Sequence, residues 1–329
     1  MQEQLKIPSR IHEILHPQLQ QREVRVFLKR DDEIHPAISG NKWRKLKYNI
    51  AEIKENGLAG FITFGGAFSN HLAASAYAGH LANLKMVGII RGEEPMANET
   101  LAFAKSCGMH LKQIPRSEYA QKNDTEFLKH LQNQYPNYLI IPEGGSNVNG
   151  VQGCMEILAE DEWQADYVCC PLGSATTFAG LILSAKKGQT CLGFPAVKGG
   201  DYLREDVNNF IAQAMSKGLV ADTFTPVPWQ LQTNFHFGGF GKITPDLIAF
   251  MNAFYTETGV PLDPVYTGKM MFGLVEMIKA DKIPKGSKVL VIHTGGLQGI
   301  KGMNTRLRNK GLKIDYEKIT AAAFPNPHT

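Results

Sequence analysis

The chain alternates short apolar runs with longer segments of helical periodicity, and this alternation constrains its fold more than any other feature. The short runs are rich in β-branched residues and are bounded by glycine or polar residues, as is typical of buried strands. We predict strands at residues 24–28, 61–64, 86–90, 110–114, 138–141, 167–170, 191–194, 229–232 and 288–293. We predict helices at residues 43–53, 69–81, 99–106, 125–134, 177–186, 203–217, 245–257 and 269–280. Because parallel strands need a long crossover between them, the pattern predicts parallel βαβ units and an α/β fold.

The predicted elements fall into two series, and each series is long enough to form a three-layer α/β/α domain. Residues 49–155 are predicted to form the smaller domain. The segment before residue 49 contains one predicted strand, which is too little to fold alone. We therefore assign residues 1–48 to the larger domain, together with residues 156–329.

The composition argues against several classes of protein. The 329 residues are 43% hydrophobic and 20% charged, as in an ordinary globular chain. Lys and Arg outnumber Asp and Glu by 35 to 31 without a basic block, so we expect small-molecule partners and no nucleic acid. The 5 cysteines lack CxxC spacing, which predicts free thiols in a reducing compartment, with neither a metal site nor a disulfide framework.

The sequence contains no segment that we interpret as a membrane span. The N-terminus is polar and has no apolar run followed by a cleavage site, so export is not expected. The longest uncharged run, residues 167–185, has membrane length but carries proline, glycine and hydroxyl residues in its middle. We interpret this run as a strand, a loop and a helix, and we expect a cytoplasmic location.

Five loops rich in glycine and polar residues are candidates for a binding site. Ligands of open α/β sheets bind where loops leave the carboxyl ends of the strands. The five stretches are Ser-Gly-Asn-Lys-Trp-Arg-Lys (39–45), Gly-Gly-Ala-Phe-Ser-Asn-His (65–71), Gly-Ser-Ala-Thr-Thr (173–177), Asp-Pro-Val-Tyr-Thr-Gly-Lys (263–269) and His-Thr-Gly-Gly-Leu-Gln-Gly (293–299).

The loop formed by Gly173, Ser174, Ala175, Thr176 and Thr177 follows a predicted strand and opens a predicted helix. Its backbone N–H groups and three hydroxyls would face an anion at the positive end of the helix dipole. This arrangement suits one phosphate group. The alternative is that the hydroxyls serve only to cap the helix.

Lys42 lies at the head of a helix that also contains Arg44, Lys45 and Lys47. Neighbouring positive charges would lower the pKa of the Lys42 amine and make it nucleophilic enough to form an imine. The alternative is a solvated basic helix face.

Ser69 and Asn70 lie at a glycine-rich junction between a strand and a helix. The first N–H groups of a helix lack intrahelical partners, so this junction can hold a carboxylate. Either residue could equally be a plain N-cap.

The stretch at residues 293–299 is one residue from a dinucleotide-binding fingerprint, because Thr294 stands where the first glycine should be. Asp315 follows about twenty residues later, as the acidic residue of such a unit does. An oxidoreductase that uses NAD is therefore a rival interpretation, although the short remaining chain offers little material for the rest of the unit.

Taken together, the five loops resemble those of the pyridoxal-phosphate enzymes with the tryptophan-synthase-β fold, known as fold type II. Within that group the chain is similar to the family of 1-aminocyclopropane-1-carboxylate deaminase and D-cysteine desulfhydrase. The resemblance runs from Lys-Arg-Asp-Asp (29–32) to the loop at 293–299, and the stretches at 39–45 and 263–269 are its most specific parts. It implies pyridoxal 5'-phosphate as the cofactor, a small domain inserted after the lysine helix, and a homodimer.

The resemblance also implies roles for individual residues. Lys42 would form the imine with the cofactor and later carry protons, and residues 173–177 would hold the cofactor phosphate. Asn70 would bond the phenolic oxygen of the cofactor, Ser69 would bind the substrate carboxylate, and Tyr266 would lie beside the pyridine ring.

Two pairs of residues bear on the reaction. The cyclopropane deaminases carry Glu and Leu where this chain has Thr267 and Thr294, whereas members similar to the desulfhydrases carry small hydroxyl residues. The resemblance would place the hydroxyls of Thr267 and Thr294 near the pyridine nitrogen of the cofactor. A neutral hydroxyl partner leaves this nitrogen largely unprotonated, so the cofactor is a weaker electron sink, which suits β-elimination. Phe68 and Phe240 depart from the family, which usually has Gln and a second tyrosine at these positions.

The sequence therefore predicts a lyase that acts on a small amino acid by α,β-elimination, as D-cysteine desulfhydrase does. Two alternatives stay open. One is a 1-aminocyclopropane-1-carboxylate deaminase, and the other is a non-catalytic protein that binds pyridoxal phosphate.

Overall fold

The computed structural model describes residues 5–92, 98–160 and 163–316, together with Phe324 and Pro327. Its strands are β1 (Ile11–Ile14), β2 (Arg25–Lys29), β3 (Gly60–Gly66), β4 (Lys85–Arg91), β5 (His110–Ile114), β6 (Tyr138–Ile141), β7 (Tyr167–Leu172), β8 (Thr190–Pro195), β9 (Trp229–Leu231) and β10 (Lys288–Ile292). Its α-helices are α1 (Pro17–Gln20), α2 (Asn41–Glu55), α3 (Asn70–Leu81), α4 (Glu99–Ser106), α5 (Arg116–Tyr119), α6 (Thr125–Gln134), α7 (Val148–Ala159), α8 (Thr176–Ser184), α9 (Leu203–Ser216), α10 (Pro245–Thr258), α11 (Thr267–Lys279) and α12 (Gly299–Leu307).

The strands form two sheets. The larger sheet has six strands in the order β1-β2-β10-β7-β8-β9, and β1 pairs with β2 in the antiparallel sense while the other pairs are parallel. The smaller sheet has four parallel strands in the order β5-β4-β3-β6. The predicted α/β fold with parallel sheets is confirmed.

Both faces of the larger sheet are buried, as parallel sheets require. Side chains alternate along β10, so Val289 and Val291 join the core that includes α10 and α11. Leu290 and Ile292 join the opposite core, which includes α8 and α9. The smaller sheet is also covered on both faces, with α2, α3 and α4 on one side and α6 on the other.

Each predicted strand and helix is present, with its ends shifted by three residues or fewer. The prediction missed β1, α1, α5, α7 and α12. Strand β1 is an edge strand of four residues, Ile-His-Glu-Ile, which is too short to show a clear period. Helix α7 contains Gly150 and Gly153, which weaken the helical signal because glycine has a low helix propensity.

Glycines are needed at the positions where α7 crosses α2 and α8. A Cβ added at Gly153 would lie 1.8 Å from the backbone oxygen of Arg44 on α2. A Cβ added at Gly180 on α8 would lie 2.6 Å from Cβ of Cys154 on α7. Helices α2 and α7 each extend across one of the predicted domain borders, at residues 48/49 and 155/156, and the division into two domains stays a prediction.

All five cysteines are free and buried, in agreement with the predicted thiols. Among the described residues, no helix combines the length and the apolar character needed to cross a membrane.

Candidate active site

The predicted loops meet at the carboxyl ends of the parallel strands. A Cβ added at Gly173, after β7, would lie 2.7 Å from Cε1 of Tyr266, before α11. A Cβ added at Gly40, before α2, would lie 1.9 Å from the backbone oxygen of Thr294, after β10. These close approaches require glycine, and they bring four of the five loops into contact in two pairs.

The fifth loop, after β3, joins the same cluster through Asn70. A Cβ added at Gly296 would lie 3.2 Å from Nδ2 of Asn70 and 3.1 Å from Cγ of Asp263. Gly296 has a φ of 99°, a conformation that favours glycine. The loop at 293–299 therefore serves as packing surface for its neighbours.

Lys42 is the second residue of α2, and its Nζ donates a hydrogen bond to Oδ1 of Asn41 at 2.9 Å. Burial of the amine, and then the charge of Lys45, lower the pKa of Lys42 to about 7. At neutral pH a large fraction of the amine is unprotonated and can act as a nucleophile.

The pKa of Lys42 is lowered by fewer positive charges than the sequence predicted. Arg44 does not act on Lys42 as expected, because its guanidinium pairs with Asp31 at 3.1 Å and with Glu160. Lys47 pairs with Glu156 at 2.5 Å. Among the predicted neighbours, only Lys45 lowers the pKa, and burial contributes more than Lys45 does.

Lys45 is a buried cation, and no carboxylate pairs with it in the described ranges. Its Nζ donates to Oγ of Ser174 at 3.2 Å, and burial lowers its pKa. The hydroxyl of Thr176 lies 3.1 Å from that of Ser174 and 2.9 Å from that of Ser146. Burying an ammonium without a counterion is costly, so this cluster of donors fits an anion such as a phosphate.

Helix α8 starts at this cluster without a side-chain cap. Its N-cap residue is Ala175, and no side chain in the described part of the chain accepts a hydrogen bond from its first N–H groups. The alternative that the hydroxyls of this loop only cap the helix is therefore wrong. The hydroxyl of Thr177 accepts a hydrogen bond from Nδ2 of Asn41 at 2.9 Å, next to Lys42.

Helix α3 starts differently. Oγ of Ser69 accepts a hydrogen bond from the backbone N–H of Leu72 at 3.2 Å, so Ser69 is the N-cap of α3. Asn70 is the first residue of the helix and points its amide toward Gly296. The capping role expected as an alternative for Ser69 is confirmed, and its role toward a substrate carboxylate stays a prediction.

Asp263 organises the start of α11. Its Oδ1 accepts from the N–H of Tyr266 at 2.9 Å, and its Oδ2 accepts from the N–H and the hydroxyl of Thr267, both at 2.8 Å. The hydroxyl of Thr267 is therefore engaged, whereas that of Thr294 makes no hydrogen bond to any described residue. Burial raises the pKa of Tyr266, so its hydroxyl stays protonated and can donate a proton.

His71, which follows Asn70, is buried against this site. Its Nε2 lies 2.8 Å from the hydroxyl of Thr63, and its Nδ1 has no partner within the described part of the chain. Burial and the charges of Lys42 and Lys45 hold its pKa well below the usual value. The imidazole of His71 is therefore neutral and packs against the site.

The two aromatic side chains that depart from the family, Phe68 and Phe240, are exposed. Phe240 is 57% exposed, and its ring meets the ring of Tyr266 edge to face, with centroids 6.0 Å apart. Phe68 is 65% exposed, at the start of α3. Phe240 thus lies beside Tyr266, whereas Phe68 is at the surface near Gly302, where an added Cβ would lie 3.6 Å from Cδ1 of Phe68.

Sequence reasoning missed the roles of Lys45 and Ser146. Lys45 lies one helical turn after Lys42, so both side chains share one face of α2. That spacing was a signal, but nothing local indicated that Arg44 and Lys47 pair with carboxylates while Lys45 pairs with none that the structure describes. Ser146 comes from a loop after β6, far from the other members in sequence.

The donors of this cluster fit pyridoxal phosphate. The uncapped N-terminus of α8, the hydroxyls and Lys45 suit its phosphate, and the unprotonated amine of Lys42 suits imine formation with its aldehyde. A family model described as pyridoxal-phosphate dependent enzyme matches residues 10–295 of this chain.

Known proteins with related sequences agree with this assignment. The bifunctional D-cysteine desulfhydrase/1-aminocyclopropane-1-carboxylate deaminase of Arabidopsis thaliana is 32% identical over 84% of this chain and 73% of that protein. The D-cysteine desulfhydrase of Serratia proteamaculans is 26% identical over 82% of this chain and 86% of that protein.

A solved structure described as a homologue of ACC deaminase superposes on this chain. It is 27% identical, covers 93% of this chain and 94% of its own, and gives a TM-score of 0.80. The fold is thus the tryptophan-synthase-β-like fold of type II, and the rival interpretation as an oxidoreductase that uses NAD is not supported. The chain belongs to the family of pyridoxal-phosphate dependent enzymes, with pyridoxal phosphate as its cofactor.

Proposed function

We propose that this enzyme removes the β-substituent of a small amino acid, with D-cysteine as the leading substrate. The overall reaction converts D-cysteine and water into pyruvate, sulfide and ammonia. The names of two similar proteins include D-cysteine desulfhydrase, which supports the choice of substrate class.

The hydrogen bonds that Asp263 accepts are the observation that favours elimination over ring opening. Both oxygens of this carboxylate accept hydrogen bonds from the start of α11, so Asp263 is already engaged. Thr294, which lies in a neighbouring loop, offers a neutral hydroxyl. A neutral partner leaves the pyridine nitrogen largely unprotonated and the electron sink weaker, which suits a substrate whose β leaving group departs promptly.

The loops before α8 and α3, together with Lys45, would hold the cofactor and the substrate. Residues 173–177 and Lys45 would hold the cofactor phosphate, and Asn70 would bond the phenolic oxygen of the cofactor. Ser69, together with the N-terminus of α3, would bind the carboxylate of the substrate. When bound, pyridoxal phosphate supplies the electron sink for the carbanion left by the loss of an α-proton.

Two side chains would move protons. With a pKa of about 7, the amine of Lys42 can take up a proton from the α-carbon of the substrate near neutral pH. The hydroxyl of Tyr266 stays protonated because burial raises its pKa, so it can donate to the departing sulfur. Phe240, which lies against Tyr266, offers no hydroxyl, and we therefore assign this donation to Tyr266.

The decisive experiment compares the wild type with Lys42→Ala after both are supplied with pyridoxal phosphate. We expect a visible absorption band that depends on Lys42, changes when D-cysteine is added, and accompanies release of sulfide and pyruvate. Turnover by Lys42→Ala should fall by roughly 10²–10⁴-fold, as for the loss of a general base. Lys54→Ala, an exposed lysine of the same helix, is the matched control.

The other outcomes separate the alternatives. Formation of 2-oxobutyrate from 1-aminocyclopropane-1-carboxylate would favour the deaminase, a function that also stands in the name of the Arabidopsis relative. A Lys42-dependent band that no amino acid changes would favour a protein that binds the cofactor without turnover. The same band in Lys42→Ala would contradict the assignment of Lys42.

We also propose a homodimer in the cytoplasm. The likeness to the deaminase and desulfhydrase family supports the dimer, and five buried free thiols are consistent with a reducing compartment. Light scattering of the purified holoenzyme tests the first point, and fractionation of the source cells tests the second.

A further inference from the structure

Lys269, on α11, is a buried lysine that the proposed reaction does not use. Lys269 is 2% exposed, and its Nζ donates hydrogen bonds to three backbone carbonyl oxygens. These belong to Gly239 at 2.8 Å, His236 at 3.0 Å and Ala196 at 3.3 Å. No carboxylate pairs with it in the described residues, so each of the three N–H groups of the ammonium can be matched to a carbonyl.

A cage of backbone carbonyls without a carboxylate is the kind of site that binds a monovalent cation. Carbonyl oxygens replace the hydration shell of such an ion, and the ion's charge compensates their aligned dipoles. In this chain the ion is an ammonium group, and it is attached to the protein through the side chain of Lys269. The cage is therefore occupied by the ammonium of Lys269 and does not need an ion from the solution.

The cage joins three parts of the cleft. Ala196 follows β8, and His236 and Gly239 belong to the loop that carries Phe240. Gly239 has a φ of 120°, which only glycine adopts readily, and its carbonyl turns toward the ammonium.

Lys269 itself lies three residues after Tyr266, whose ring contacts Phe240. One ammonium group thus links the loop of Phe240 to the helix of Tyr266.

We propose that Lys269 is a tethered monovalent cation: its ammonium fills a three-carbonyl cation site and holds the loop of Phe240 against α11. Lys269 is a positioning residue, because its ammonium bonds backbone carbonyl oxygens and no side chain that the proposed reaction uses. The Phe240–Tyr266 wall then forms whichever monovalent cation the solution contains. The proposal deepens the proposed function, on which its kinetic readout rests, and its main readout does not depend on the substrate.

The test removes the ammonium and offers a free ion in its place. Lys269→Ala opens the cage, whereas Lys269→Met keeps the bulk of the side chain and supplies no donor. Lys279→Ala, at the exposed end of the same helix, is the matched control. The melting temperature of each holoenzyme is measured in choline chloride, and in ammonium, potassium and sodium chloride of the same ionic strength.

We expect a lower melting temperature for Lys269→Ala in choline chloride. That temperature should rise saturably with ammonium or potassium ions, which are small enough to enter the cage. Lys269→Met should stay low in all four salts. The wild type and Lys279→Ala should melt at the same temperature in each salt, apart from the general salt effect that both share.

Three results would overturn the proposal. The first is a melting temperature of Lys269→Ala that does not depend on the cation, including a variant that stays unfolded even in ammonium chloride. The second is an equal gain for Lys269→Met, and the third is a wild type that requires one particular cation. Turnover in the same salts is the kinetic readout. If D-cysteine is not a substrate, only that readout is lost, so the two proposals can fail separately.

Discussion

The N-termini of α3 and α8 meet at the same cleft, but their first turns are built differently. Each helix follows a parallel strand and points its positive end at the site. At α3, the hydroxyl of Ser69 caps the first turn. At α8, Ala175 provides no cap, and the ammonium of Lys45, which pairs with no described carboxylate, donates to the hydroxyl of Ser174.

This difference indicates which anion each junction suits. The open N-terminus of α8, with a buried cation beside it, provides more positive charge than the capped N-terminus of α3. We therefore expect the dianionic phosphate of the cofactor at α8 and the single charge of a substrate carboxylate at α3. We thus expect two helix N-termini with the same backbone arrangement to prefer different anions, because their side chains differ.

The largest effect is expected when the cation at α8 is removed. Lys45→Met should weaken cofactor binding by roughly 10–150-fold, because hydrogen bonds to charged groups contribute about 1.5–3 kcal/mol. Titration with pyridoxal phosphate measures the Kd, and Lys47→Met, on the same helix, is the control. At a pH above the pKa of Lys42 in both proteins, pyridoxal without its phosphate should bind the wild type and Lys45→Met alike, and a large difference for pyridoxal there would contradict the phosphate role.

A smaller effect is expected at α3. Ser69→Ala and Ser69→Gly should each raise KM by about tenfold, since a hydrogen bond to a charged group is lost, while the Kd of the cofactor stays constant. The alanine variant should also lose about 1 kcal/mol of stability, and the glycine variant only a few tenths, because glycine is the better N-cap. An unchanged KM in both variants would limit Ser69 to its capping role.

The pH dependence connects the two junctions through Lys42. The rate at which the apoprotein forms its Lys42-dependent absorption band should rise with pH through a midpoint of about 7, because the protonated amine cannot attack. In Lys45→Met the midpoint should move to higher pH, since a neighbouring positive charge that lowers the pKa of Lys42 is gone. Stopped-flow absorption measures both midpoints, and equal midpoints would show that burial alone sets this pKa.

The smallest catalytic effect is expected at the two threonines. Helix α11 resembles α3 in that a side-chain oxygen accepts a hydrogen bond from its first turn, here Oδ2 of Asp263 from the backbone N–H of Thr267. Thr267→Val removes two hydrogen bonds and should cost about 1–3 kcal/mol of stability, measured by chemical denaturation. Thr294→Val should keep the stability of the wild type and change turnover and the absorption band by a few-fold. The reverse pattern would place Thr267 at the cofactor instead.

Local patterns were sufficient to predict most strands and long helices, and the resemblance to a known family predicted the cofactor. The strands and long helices follow from periods of two and 3.6 residues, which nearby side chains impose. The five loops could be identified because glycine and hydroxyl residues follow strands at fixed spacing. Helix α7 was missed because its glycines serve contacts with α2 and α8, and such contacts leave no local signal.

The sequence by itself thus predicted the α/β fold, and its resemblance to known enzymes predicted the family and the cofactor, all of which are confirmed. The role of Lys42 stays a prediction. Only the tertiary structure decided which charges are left unpaired. Arg44 and Lys45 are adjacent in sequence, yet Arg44 pairs with Glu160, 116 residues away, and Lys45 pairs with no described carboxylate. Ion pairs depend on which distant residues the fold brings within a few ångströms, and burial then sets their strength, so neighbouring residues in the chain cannot reveal them.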